Sequence, residues 1–361
     1  MKIAVLWTGL SGYMNACLKE LASRDGVELM VSHQLTDNNA PFELSQFDWI
    51  KDRFSWRKPN ELNPLQERVR AFAPDVLLLA GWHVPAYRRI ARAQAGRALR
   101  VMIMDNPWKA TWKQRFGVLV APFHVQPLAD RVWLPGERQA MFARRLGFNE
   151  RVTLRGSFSC DQPAFARVYQ EQKEQSVAVP RRFLFSGRLI LIKGVDTLAE
   201  AYKLYRSRTS DPWPLACCGA GPLRSLLEKI PGVEMKGFVQ PAEMTQVLAQ
   251  AGCLILPSTF EPWALVVHEA AAAGRLILAS NAVGAAVHLV QPGFNGYVFE
   301  SGDVEGLAQL MQRVSEMSDR RLSEMSRNSH MLSTQYTPAR WADTLLEARR
   351  LFSKETRQTA A

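Results

Sequence analysis

The sequence predicts an α/β protein of two doubly wound domains. Three observations carry this. Short apolar runs such as VLLLA (76–80), RVMIMD (100–105) and CLIL (253–256) end at Gly, Pro or Asn and are followed by amphipathic stretches. That alternation is the signature of buried parallel strands joined by helices. It occurs twice, with a polar stretch over 161–179 between the two series. The chain has 361 residues, 47% of them hydrophobic, enough for two cores.

The first series opens with a strand over Lys2–Trp7, a loop bearing Gly9, Ser11 and Gly12, and a helix with Leu18 and Leu21 on one face. This is a nucleotide-domain opening, although Gly9 and Gly12 do not make the dinucleotide fingerprint, which disfavours a dehydrogenase. Val27–Val31 is the second strand. Residues 47–59 mix aromatics with Lys and Arg and read as an acceptor flap, a membrane-surface loop or a plain solvated loop. Strands over Val76–Ala80 and 100–105 are followed by Trp82-His83 and Asn106-Pro107-Trp108. Ligands of open α/β sheets bind beyond the carboxyl ends of strands. Trp82, Trp108 and Trp112 are therefore candidates for stacking on sugar rings, with core packing as the alternative for each. Seven of the ten Trp precede residue 134. Arg138, Arg144 and Arg145 share a helix with Met141, Phe142 and Leu146, which fits either a membrane surface or domain packing.

The expected domains are 1–160, a linker over 161–180, 181–335, and a terminal helix and tail over 336–361. The second domain starts with Phe183-Leu184-Phe185. Ser186-Gly187-Arg188-Leu189 and Lys193-Gly194 follow, two cations beside glycines at a strand-to-helix turn. A diphosphate needs such an arrangement. Gly219 and Gly221 form a second turn after the strand Leu215–Cys218. In Cys253–Ser280 a strand is expected to end at Pro257, with Pro262 at the first helical position, a helix over Ala264–Ala273, and Gly274 as its cap. Glu261 and Glu269 bracket the helix start at a Glu-x7-Glu spacing, on the order of 12 Å if wholly helical. The free N–H groups and positive dipole end between them suit a diphosphate.

These strings resemble the nucleotide-sugar glycosyltransferases of family 4, whose fold is GT-B, with two Rossmann-like domains facing a central cleft. Gly-Arg-Leu (187–189), Lys193-Gly194 and Glu261-Pro262-Trp263-Ala264 carry the resemblance, which covers 183–315 well and the first domain loosely. It implies a retaining transferase that moves a sugar from a nucleoside-diphosphate sugar to a hydroxyl of a glycan or lipid-linked acceptor, in polysaccharide, lipopolysaccharide or glycolipid synthesis. Arg188 and Lys193 would clamp the diphosphate, Glu261 hold the sugar, and Glu269 hold the ribose. Gly12, Gly219, Gly221, Ala264 and Leu265 would lie against the donor. Three positions depart from the pattern: Ala264 replaces a usual Gly, His288 a usual Glu, and Asp105 a frequent catalytic His. Asp105 would then orient the acceptor hydroxyl, take its proton, or merely cap the following turn. A catalytically silent glycan-binding protein and a sugar-nucleotide epimerase stay open as alternatives.

No Asp-x-Asp occurs, and no His/Cys cluster has zinc spacing, so no metal or other cofactor is expected. The five Cys lie in apolar contexts without a CxxC pair, as core residues of a cytoplasmic protein would. No apolar run is long enough to span a bilayer. The net charge is +11. Residues 1–178 hold 25 cations against 17 anions (+8), and the rest 20 against 17 (+3). A basic first half points to an anionic partner, and peripheral contact with the inner face of a membrane is the expectation. Nucleic acid is not expected, since charge alone would support it.

Overall fold

In the computed structural model, residues 1–35 and 43–360 are described. Contacts divide them into two compact units, Met1–Ser159 with Pro338–Ala361, and Cys160–Thr337.

The first unit is built on a seven-stranded parallel sheet: β1 (Lys2–Leu6), β2 (Glu28–Gln34), β3 (Asp52–Trp56), β4 (Val76–Ala80), β5 (Leu99–Ile103), β6 (Arg131–Leu134) and β7 (Thr153–Arg155). Their order is β3-β2-β1-β4-β5-β6-β7, so the winding reverses between β1 and β4. Helices α1 (Gly12–Ala22), α2 (Leu65–Phe72), α3 (Pro85–Ala93), α4 (Trp112–His124) and α5 (Glu137–Arg145) connect them. The central strands are buried on both faces, which explains runs such as VLLLA that lack alternation.

The second unit begins with α6 (Gln162–Glu174). Its six-stranded parallel sheet comprises β8 (Phe183–Ser186), β9 (Leu215–Cys218), β10 (Val233–Gly237), β11 (Cys253–Leu256), β12 (Leu276–Ser280) and β13 (Gly296–Phe299). The order is β10-β9-β8-β11-β12-β13, with the reversal between β8 and β11. Its further helices are α7 (Val195–Arg208), α8 (Met244–Ala249), α9 (Leu265–Ala272), α10 (Ala286–Leu289), α11 (Val304–Ser315) and α12 (Asp319–Ser333). The last helix, α13 (Pro338–Ala360), belongs to the first unit and packs on α1. There Trp341 stacks on Trp133 at 4.8 Å and donates to the Ser157 carbonyl at 2.9 Å.

Three expectations need correction. The stretch over 161–180 is mostly helix rather than linker. Asp161 caps α6 by accepting from the Ala164 N–H, and Phe165, Ala166 and Val168 are buried. The Gln- and Glu-rich outer face of α6 masks this narrow apolar stripe, so the second unit starts at Cys160, some twenty residues early. Residues 47–59 are not a flap. They supply the edge strand β3, paired with β2 from Met30↔Asp52 to Gln34↔Trp56, and Phe47 and Trp56 are buried. Pro262 is not the first helical position. Helix α9 starts at Leu265, so Glu269 is its fifth residue and Glu261 lies outside it. The reason is local: Ala264 takes a left-handed conformation (φ 82°), which ends the loop and delays the helix.

Candidate functional site

The reversal between β8 and β11 leaves a gap beyond their carboxyl ends, where an open α/β sheet binds its ligand. Two loops border it. One, after β8, carries Arg188 and Lys193; the other, after β11, carries Ser258 to Ala264. The Thr259 N–H donates to the Ile192 carbonyl at 3.0 Å and ties the loops together. Across this tie the Lys193 ammonium pairs with the Glu261 carboxylate. Both side chains are mostly buried, at 17% and 13% exposure. A cation and an anion 68 residues apart thus meet at the switch point.

The glycines make this approach possible. Gly194 is left-handed, and a Cβ there would sit 2.0 Å from the Pro257 carbonyl oxygen. Gly219 and Gly221, expected beneath a donor, sit against the Arg188 loop: a Cβ on Gly219 would lie 1.9 Å from the Gly187 carbonyl oxygen, and one on Gly221 2.4 Å from that of Leu189. The β9 turn therefore presses directly on the loop that carries Arg188 and holds its backbone. Hydrogen bonds Gly187 N–H to Cys218 O (2.9 Å) and Leu189 N–H to Ala220 O (2.9 Å) complete the contact.

Helix α9 offers its first N–H groups at the other side of the gap, after Ala264 and Leu265. The strand-like pairing of Glu261 with Val283 steadies the approach. The Gly284 N–H donates to the Glu261 carbonyl (2.9 Å), and the Ala285 N–H to that of Trp263 (2.7 Å). Glu269 is partly open to solvent as a residue, yet its carboxyl lies among protein atoms, and burial pushes its pKa up to about 7. Its neighbour His268 is fully buried. Nδ1 accepts from the Cys160 N–H at 3.1 Å, so Nε2 carries the proton and donates to the Ser333 carbonyl at 3.1 Å. Burial lowers its pKa to about 4, so it stays neutral.

An aromatic group that sequence reasoning missed supports this loop. Trp263 faces His288 at 5.7 Å and Tyr336 at 5.7 Å, and Tyr336 also meets His268 at 5.8 Å. His288, expected only as an odd replacement, is thus part of the packing behind the Glu261 loop. No spacing rule links Trp263 to Tyr336; the contact exists because α12 packs on α9. Ser258 Oγ and Trp263 Nε1 are buried here without hydrogen-bond partners.

In the first unit, Asp105 follows β5 and is exposed as a residue. Desolvation of its carboxyl raises its pKa, opposed by its own N–H and by the nearby His83. His83 thus lies near Asp105. Since Ala80 pairs with Ile103, residues just past the ends of β4 and β5 come together, and that register was the signal available. Tyr13, beside Gly12 at the start of α1, stacks edge-on to Phe158 at 5.3 Å; its hydroxyl pKa is raised by burial, then by Cys17 and Asp105. The three Trp do not form one platform. Trp82 and Trp108 both pack on Phe142, at 6.2 and 5.7 Å, and Arg145 covers Trp108 at 4.6 Å. Trp112 stands apart on α4, 73% exposed. Among the described residues, no group of three or more His, Cys, Asp and Glu could hold a metal ion.

Known proteins share this fold. An Anabaena protein, HepE, solved in complex with UDP, superposes over 99% of this chain and 100% of its own with a TM-score of 0.72 at 18% identity. A lipopolysaccharide outer core galactosyltransferase, WaaB, does so over 98% and 100% with a TM-score of 0.67 at 16% identity. The fold is thus the GT-B fold of two α/β units that the sequence pointed to. In sequence, a glycogen synthase of Mycobacterium tuberculosis is 32% identical over 142 residues, and an uncharacterised glycosyltransferase of Methanocaldococcus jannaschii 29% over 141. Those matches take in 37% of this chain and only 34% and 35% of the relatives. Residues 169–330, nearly the whole second unit, match the family described as Glycosyl transferases group 1.

Proposed function

We propose that the chain is a retaining, metal-independent glycosyltransferase that moves a sugar from a nucleoside-diphosphate sugar to a hydroxyl of a glycan or lipid-linked acceptor. Bacterial polysaccharide, lipopolysaccharide or glycolipid synthesis is the setting we assign to it. The observation that carries the reading is the Lys193–Glu261 ion pair at the β8/β11 reversal, with Arg188 on the same loop and the start of α9 opposite. The group 1 match over 169–330 and the structural neighbours solved with UDP and UDP-glucose support it.

In this reading the diphosphate takes the Lys193 ammonium, and Glu261 turns to the sugar hydroxyls. Arg188, Lys193 and the first N–H groups of α9 stabilise the negative charge that grows as the anomeric carbon–oxygen bond breaks, the step where fixed dipoles and cations count most. The Glu269 carboxylate accepts from the ribose hydroxyls. The acceptor hydroxyl attacks on the face the diphosphate leaves, and its proton passes to the departing phosphate oxygen. On the first unit, Asp105 and His83 are the groups we assign to orienting that hydroxyl.

Thermal-shift measurements against UDP, GDP, dTDP and ADP test the reading. One nucleotide should raise the unfolding midpoint through preferential binding to the folded state. Incubation with the matching radiolabelled sugar donor should then give labelled product with the donor's anomeric configuration. Nucleotide binding without turnover over a broad acceptor set would favour the silent binding protein. Conversion of the donor into its epimeric sugar nucleotide without an acceptor would favour the epimerase.

A further inference from the structure

Helix α4 presents an apolar stripe to solvent. Trp112, Phe116, Leu119 and Phe123 are 73%, 61%, 75% and 76% exposed. Their spacing of four, three and four places them on one face of the helix. The opposite face is seated: Ala121 is fully buried in the core of the first unit, and Val118 packs against that core. Four large side chains aligned on one face away from the core are more than the scattered apolar exposure normal for a surface.

The charge around the stripe says what covers it. On a helical wheel Arg115 falls about 70° to one side of the stripe's centre and Lys113 about 90° to the other. From residue 106 to 129 the chain has Lys109, Lys113 and Arg115 and no Asp or Glu. Beside the helix, Trp108, Ala110, Arg115, Val118 and Arg145 line a cleft of about 560 Å³, so two arginines border one hollow. A protein partner with an apolar groove would not require cations on both flanks. An anionic lipid surface would, because acyl chains take the stripe while headgroup phosphates meet the flanking cations. The helix is also formed in advance. The Thr111 hydroxyl caps it by accepting from the Gln114 N–H at 3.3 Å, so docking carries little ordering cost.

We infer that α4 lies flat in the surface of an anionic bilayer, with Trp112, Phe116, Leu119 and Phe123 among the acyl chains, Lys113 and Arg115 at the headgroups, and a headgroup phosphate in the Arg115–Arg145 cleft. This goes beyond the transfer reaction and needs no donor, so its failure would leave the transferase reading standing.

The test is co-sedimentation of the full chain with vesicles of phosphatidylcholine alone or with part of it replaced by phosphatidylglycerol. Partition should be at least tenfold stronger on the anionic vesicles and weaken with salt. The triple substitution F116S/L119S/F123S should cut it about tenfold or more with an unchanged unfolding midpoint, since these side chains have little core contact to lose. The pair K113E/R115E should abolish the preference for phosphatidylglycerol. All five native cysteines are buried, so L119C can be labelled selectively with an environment-sensitive fluorophore, whose emission should shift to the blue only on anionic vesicles. The proposal is overturned if the wild-type chain stays in the supernatant at low salt, if the triple variant partitions like wild type, or if the label stays in water. A dimer in light scattering that the triple variant dissolves, with no vesicle binding, would assign the stripe to a second copy instead.

Discussion

Lys193 and Glu261, on loops after β8 and β11, form an ion pair at the point where the second sheet reverses its winding. The pair is mostly buried, and each partner offsets a desolvation cost the other would bear alone. A ligand that supplies a diphosphate to Lys193 and hydroxyls to Glu261 can replace the pair without leaving either group unmatched.

The two halves of that pair should fail differently. Lys193→Ala should lower turnover by about 10²–10³-fold, the usual cost of losing one charge-stabilising donor. Glu261→Gln should lower turnover similarly, yet bind the free nucleotide as well as wild type or several-fold better, because it frees Lys193 while a nucleotide has no sugar to lose. Steady-state kinetics and calorimetry with the free nucleotide check both. Equal loss of nucleotide affinity in the two variants would contradict the division of labour.

Glu269 and His268 give opposing pH responses. Burial raises the folded-state pKa of Glu269 to about 7, so the folded chain holds a proton that the unfolded chain releases near pH 4.5. Its burial therefore costs nothing in acid and removes stability as pH rises from about 4.5 to 7, on the order of 3 kcal/mol in full. His268 is the reverse. Its folded pKa falls to about 4, so its neutral, hydrogen-bonded state loses stability as pH drops below about 6.5. Between pH 4.5 and 6.5 the two slopes largely cancel. Glu269→Gln should make the variant more stable than wild type near pH 8 and steepen its loss of stability toward acid. Denaturant titrations across that range check the sign.

Nucleotide affinity should follow the same group. If the ionised Glu269 accepts two ribose hydroxyls, affinity should climb as pH passes 7 and then level off. In Glu269→Gln the rise should vanish. A ribose-independent role would leave the two profiles parallel.

Ala264 occupies a left-handed conformation at φ 82°, which costs an L-residue about 1–2 kcal/mol. Ala264→Gly relieves that strain and adds unfolded-chain entropy of about 0.5–1 kcal/mol, so stability should stay level or rise by up to about 1 kcal/mol. Ala271→Gly, within α9, should instead lower it by at least that much, by chemical denaturation.

Gly219→Ala should be severe. Its new methyl would meet the Gly187 carbonyl oxygen at 1.9 Å, and φ 140° is hostile to any L side chain. A loss of about 3 kcal/mol or failure to fold is expected. A soluble variant should show the Arg188 loop displaced in a crystal structure.

Much of this molecule is written locally. Strand runs, Gly turns and caps fixed two winding α/β series, because a strand buried on both faces must be apolar throughout and must stop at a breaker. The residues of the candidate second-unit site stood out for the same reason: a guanidinium, an ammonium and a carboxylate beside glycines have few purely structural uses. What the sequence could not supply was anything that depends on which segments become neighbours. Helix α6 reads as polar because only a narrow stripe of it meets α9. The Lys193–Glu261 pair, the Trp263–Tyr336 contact and the closeness of His83 to Asp105 arise from strand order and register, and the Gly219 and Gly221 contacts from one loop resting on another. Whether Trp108 packs inward and Trp112 points out was decided by where Phe142 and Ala121 lie in the core, a three-dimensional fact that no periodicity along one helix contains.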